Sequence, residues 1–217
     1  MSRTYLWMTA VVLICIAGTS TAVASDWERV DQTDGVTVYE RDAGDDVAFR
    51  GTMEADIHIG ELIATFVNPD QRPHWVDNYG DHETIEQSAS SELYWLQLDM
   101  PFGVSDRDYV LRAQYNFDEA NRTFTATTQS VEDRRKPEDD CCVRAESNIE
   151  YVFRAEPGEQ TTHIEVDVQS DLKGRVPSRI VNSAQREWPV ATLNALVDRT
   201  RSSGVDADSR AADWHRE

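Results

Sequence analysis

Between residues 107 and 117 the odd positions carry Tyr109, Leu111, Ala113, Tyr115 and Phe117, opposite Asp108, Arg112, Gln114 and Asn116. A period of two predicts a strand with one covered and one wet face. The same alternation places Ile149, Tyr151 and Phe153 on one side of a strand at 144–155, and Ile164, Val166 and Val168 on one side of another at 161–170. Further strands are predicted at 81–88, 92–100 and 122–131, at the even spacing of an antiparallel meander that 161–170 closes. Before the meander lie two strands, 36–41 and 48–57, around a polar turn at 42–46. They are followed by a short helix at 59–67, with Leu62, Ile63 and Phe66 on one side and Pro69 as its stop. Residues 70–79 read as a short irregular or helical piece carrying Trp75.

After Asp171 the period lengthens. Ile180 and Val181, Ala184, Trp188, Ala191, then Ala195 and Leu196 recur at helical spacing, with Pro177 suited to the first turn and Gly204 beyond the end. Pro189 lies inside this helix, removes one backbone hydrogen bond and is expected to bend it. The chain from 204 to 217 is polar and expected to be disordered, with Trp214 the residue in it suited to docking. The pattern gives an α+β domain in which one long C-terminal helix covers a curved antiparallel sheet. One helix cannot fill so wide a concave face, so an internal hydrophobic cavity is expected between them.

Charge and leader add the setting. Arg3, an apolar run at 5–17 and the Ala22-Val23-Ala24 site read as a signal peptide over 1–24, which would deliver a domain of 25–203 to the periplasm or beyond. The chain carries 40 acidic against 21 basic residues, a net charge of −19. Such a surface excludes nucleic acid as a partner and disfavours adhesion to anionic headgroups. Cys141 and Cys142 are adjacent, and because a bridge between neighbours is strained they read as free thiols or a minor redox feature. The five histidines, His58, His74, His82, His163 and His215, show no metal-ligand spacing. Neither a nucleophile elbow nor a phosphate loop is present. No catalytic residue, metal or cofactor is assigned.

Three segments carry a resemblance. SDRDYV at 105–110 resembles the SxRDxV segment of START (StAR-related lipid-transfer) domains, DLKGRVPSRIVN at 171–182 is similar to their exit into the C-terminal helix, and DGVTVYER at 34–41 to their first strand. The pieces fall in the family's order over residues 27–201, most like its short stand-alone bacterial members. The resemblance implies a helix-grip fold holding one lipid or sterol-like molecule between sheet and helix. On it, the cavity residues are Trp95, Tyr109, Leu111, Ala113, Tyr115, Tyr151, Phe153, Val166, Val181, Ala184 and Trp188. Gating is expected of Pro101, Phe102 and Gly103 in the loop before SxRDxV, and of Pro189 as a hinge. Arg107 and Asp108 are expected to form ion pairs that fix the strand entrance. Many animal members carry an inward arginine where this chain has Ala113, so a more apolar cavity is implied. The function implied is lipid binding, with transfer across the periplasm, by a monomer with transient membrane contact; the alternatives are an aromatase/cyclase-like enzyme of the same superfamily and a ligand-sensing module.

Overall fold

The computed structural model describes residues 26–216 apart from 44, 45, 102 and 177, and gives backbone alone for 46 and 178–185. The expected leader therefore lies outside the described residues, as do Phe102 and the side chains of Val181 and Ala184.

Three strands, β1 (Glu28–Thr33), β2 (Val36–Ala43) and β3 (Asp46–Asp56), lead into helix α1 (Ile59–Val67) and a 3-10 turn at Pro69–His74. Strands β4 (Tyr79–Gln87), β5 (Ser91–Leu98), β6 (Arg107–Asp118), β7 (Thr123–Ser130), β8 (Val143–Arg144), β9 (Glu146–Ala155) and β10 (Thr161–Asp171) follow, and helix α2 (Ser178–Ser203) ends the regular structure. The sheet runs β1-β2-β3-β10-β9-β7-β6-β5-β4, with the short β8 paired in parallel to the start of β6. All other pairs are antiparallel, and the meander closes onto the N-terminal strands through β10, where Val166 faces Gly51 of β3. The edges β1 and β4 do not pair, so the sheet is curved and open.

β1 was not foreseen, because ERVDQT has no alternation; it is an edge strand with five of its six residues exposed. The main core sits between the sheet and the two helices, with Phe66, Phe124, Phe153, Leu193 and Leu196 at its centre. Helix α1 has one apolar side, begins where the His58 ring accepts the Gly60 N–H at 3.0 Å, and buries Leu62, Ile63 and Phe66. Helix α2 meets β3 closely. A Cβ at Gly51 would stand 2.7 Å from Pro189 Cβ, so a glycine is required where the helix touches the strand.

The connection between β7 and β9 and the tail expected to be disordered are both structured. Residues 131–145 fold over the outer face of β5 and β6, where Cys141 and Cys142 form a disulfide with each other. The residues after 203 are packed rather than disordered: Ala211, Trp214 and His215 are buried. Trp214 lies against Phe117 at 6.2 Å, Arg210 stacks over Phe117 at 3.8 Å, and the Asp208 N–H donates to the Gly60 carbonyl at 2.9 Å. A polar composition concealed this docking, because a few apolar anchors and backbone bonds suffice to hold a short segment.

Candidate functional site

A cavity of about 320 Å³ lies between the concave face of the sheet and α2. Each wall follows from strand parity. β5 supplies Tyr94 and Leu96, β6 supplies Tyr109, Leu111, Ala113 and Tyr115, and β9 supplies Ile149 and Tyr151. Phe66 of α1 and Trp75 close one side; Trp188, Ala191 and Thr192 of α2 close the other. Leu98 and Met100, where β5 runs into the 101–105 loop, and Leu172, where β10 runs toward α2, mark the end nearest the expected gate.

Of the residues proposed from sequence, Tyr109, Leu111, Ala113, Tyr115, Tyr151 and Trp188 line the cavity. Three do not. Phe153 and Val166 are wholly buried in the core, Phe153 stacked on Phe124 at 5.5 Å. Trp95 is on the opposite face of β5, because the inward parity belongs to Glu92, Tyr94 and Leu96. Its indole N–H donates to Asp108 at 2.8 Å, and Lys136 sits over its ring at 4.5 Å. Pro189 is buried against β3, and Pro101 and Gly103 are exposed in the loop above Met100.

Of the two ion pairs expected at the strand entrance, Asp108 forms one, with Arg144, and Arg107 forms none among the described residues. Arg107 is 1% exposed and takes no acidic partner: its guanidinium donates to the backbone carbonyls of Ser105, Leu172 (2.9 Å) and Lys173 (3.0 Å). One side chain thus ties the 101–105 loop to the segment that leads into α2. Asp108, pointing the other way, is gripped by Arg144 at 2.7 Å and 3.1 Å and by Trp95. Burial opposes its charge, but the Arg144 and Trp95 hydrogen bonds outweigh it and hold the carboxyl below the usual range.

The cavity is also less apolar than expected. Arg72, from the 3-10 turn, supplies a buried cation that the strand pattern could not reveal. Its guanidinium grips Glu92 at 2.6 Å and 3.2 Å, Arg72 being 4% and Glu92 1% exposed, and lies 4.0 Å from the Tyr94 ring. Burial works against the arginine charge, but Tyr94 and Glu92 more than offset it and raise its pKa. Thr84 donates to Glu92 at 2.9 Å and Tyr115 at 3.3 Å, so the carboxylate is satisfied from several sides. Glu92 stands directly opposite Ala113 across β5 and β6. The cation absent at 113 therefore comes from another element. The tyrosine hydroxyls keep their protons: burial pushes Tyr94 and Tyr109 up to about 12, and Tyr115 and Tyr151 higher still. No proton donor or acceptor poised near neutrality sits among these phenols.

The family model described as START domain matches residues 23–203. An uncharacterized protein of Pseudomonas aeruginosa is 22% identical over 199 residues, covering 89% of this chain and 96% of its own length. Among solved structures, a STAR-related lipid transfer protein of Xanthomonas axonopodis (fragment 25–204) superposes with a TM-score of 0.73 at 20% identity, over 82% of this chain and all (100%) of that one. Human StAR-related lipid transfer protein 5 gives 0.75 at 18% identity, over 84% and 89% of the two chains. A Zhui aromatase/cyclase from Streptomyces shares the fold more loosely, at 0.50 and 10% identity over 73% and 98%.

Proposed function

The chain belongs to the START domain family, and from that premise we propose that it binds one lipid-like apolar molecule in the cavity between its sheet and α2, and carries it through an aqueous compartment. The observation that supports this most is the cavity itself, about 320 Å³ and lined largely by aromatic and aliphatic side chains. That volume falls in the range of small-molecule sites, roughly 300–1,000 Å³. Shielding apolar ligand surface from water supplies the binding energy, at roughly 25 cal/mol per Å².

Release requires an opening. The 101–105 loop follows Met100 and the segment leading into α2 begins at Leu172, at one end of the cavity, and the Arg107 guanidinium fastens these two segments together through the carbonyls of Ser105, Leu172 and Lys173. The gate we propose is this pair of segments, moving against a helix that is seated on β3 at Pro189 and Gly51. The leader read at residues 1–24 supports action in the periplasm, with membrane contact limited to loading and unloading.

The test is to express the full-length chain in a bacterial host with a periplasm, purify it, extract with organic solvent and weigh what is released. A lipid at one molecule per chain is the expected result. An empty protein that instead turns over an aromatic or polyketide substrate would move the assignment to the cyclase-type enzymes that share this fold.

A further inference from the structure

The polar groups of the cavity divide into those with partners and those without. Arg72 and Glu92 satisfy each other, Tyr115 donates to Glu92, and Ser147 and Ser170 share a hydrogen bond of 2.6 Å. Among the side-chain atoms shut off from solvent, two stand apart. The indole nitrogen of Trp75 and the hydroxyl of Thr192 are shut off from solvent and have no hydrogen-bond partner among the described residues. Both residues line the cavity, Trp75 at 7% and Thr192 at 1% exposure. A hydroxyl in a helix ordinarily returns to the carbonyl four residues back, as Thr200 does to Leu196 at 2.9 Å. Thr192 does not. The Trp75 ring is held in place by Phe66, nearly parallel to it at 5.6 Å. An indole N–H can only donate, whereas a threonine hydroxyl donates or accepts. Leaving such groups unmatched in a low-dielectric interior costs free energy that a bound partner recovers.

Charge narrows what that partner is. Arg72 is the one cation on the described wall, and both ends of its fork are spent on Glu92. Asp77 and Glu187 also border the cavity. A carboxylate or phosphate brought inside would find no free cation to compensate it.

We propose that the ligand is an apolar molecule bearing neutral oxygen, a hydroxyl, ketone or ester carbonyl, which accepts a hydrogen bond from Trp75 Nε1–H and exchanges a second with Thr192 Oγ1. This rests on the lipid-binding reading above and adds the chemistry of the head. Trp75 directly follows the 3-10 turn and Thr192 lies on α2, so the head of the ligand would meet two separate elements.

The experiment is displacement of the neutral dye N-phenyl-1-naphthylamine from the full-length protein by a matched series: dodecane, 1-dodecanol and laurate. The expected order places 1-dodecanol about tenfold tighter than either dodecane or laurate. Trp75→Phe keeps the ring and Thr192→Val keeps the shape. Each is expected to narrow the gap between 1-dodecanol and dodecane, whatever change in wall shape does to the affinity for both. The proposal is overturned if laurate displaces as well as 1-dodecanol, or if both variants bind 1-dodecanol like the unaltered protein, in which case water or nothing meets the two atoms. The order within the unaltered protein decides the matter even where a variant does not fold. If dye and dodecane themselves fail to bind, the cavity reading fails first, a result distinct from an inverted order of heads.

Discussion

At the scale of single residues, the buried Arg72–Glu92 pair is the part of the site least visible in sequence and most consequential for stability. Arg72 sits in DQRPHW, a segment with no period, so nothing in the pattern assigns it a face. Glu92 was legible in principle. It shares parity with Tyr94 and Leu96, and a carboxylate at an inward strand position signals a buried partner. The apolar run LYWL hid that parity and made Trp95 look inward. A buried ion pair adds little net stability, but breaking one side leaves an uncompensated charge. Glu92→Gln is therefore expected to cost about 3–5 kcal/mol in urea unfolding, whereas the double replacement Arg72→Met with Glu92→Leu recovers most of that loss. An equal loss in both proteins would show that the pair is not the source of the cost.

At the scale of elements, the period-two strands and the period-3.6 helix were readable because each buries one face. Two elements were not readable. β1 is exposed on nearly all its residues, and the tail after Ser203 relies on Trp214, Ala211 and one histidine rather than on a stripe. The His215 ring meets the Glu159 carbonyl through Nδ1 at 2.6 Å and accepts the Ile59 N–H at Nε2 at 2.9 Å, an arrangement that fits the neutral ring. Burial lowers its pKa, with nearby His58 and Arg122 adding to the effect and the Glu159 carbonyl opposing it. The docked tail thus binds fewer protons than the released one. Its docking is fully favourable above about pH 6.5 and weakens as pH falls from there toward the lowered value. Protection of the Ile59 and Asp208 amides, taken relative to the intrinsic exchange rate at each pH, is expected to fall on acidification, and His215→Ala to abolish that pH dependence.

The entrance to α2 gives a second expectation at this scale. Arg107→Met removes donors to three carbonyls that fasten the 101–105 loop to the helix approach. Exchange of bound dye, followed by stopped flow, is expected to quicken several-fold with circular dichroism unchanged. The SxRDxV resemblance points to this arginine, but two of its three partners, the Leu172 and Lys173 carbonyls, are distant in sequence, which no spacing reveals.

At the scale of the whole molecule, the order of the sheet followed from the meander plus one long-range pairing, β10 on β3, which sets the concave face that α2 covers. The cavity followed from that geometry, and its neutral-to-acidic walls continue the character of the surface, −19 overall. Repulsion from anionic vesicles is expected to make ligand pick-up slower from them than from zwitterionic vesicles at low salt. The difference should disappear near 1 M salt, where the screening length falls to about 3 Å. A preference for anionic vesicles would instead require a basic docking patch.

The most direct test of the cavity as the binding site is to fill it. Ala113 lines the wall opposite Glu92, and Ala113→Trp would occupy space that a ligand needs. Native mass spectrometry of the two proteins, purified side by side, is expected to show one apolar molecule per chain in the unaltered protein and none in Ala113→Trp, with the far-ultraviolet circular dichroism of both the same. A folded Ala113→Trp protein that still carries its ligand at one per chain would contradict the assignment.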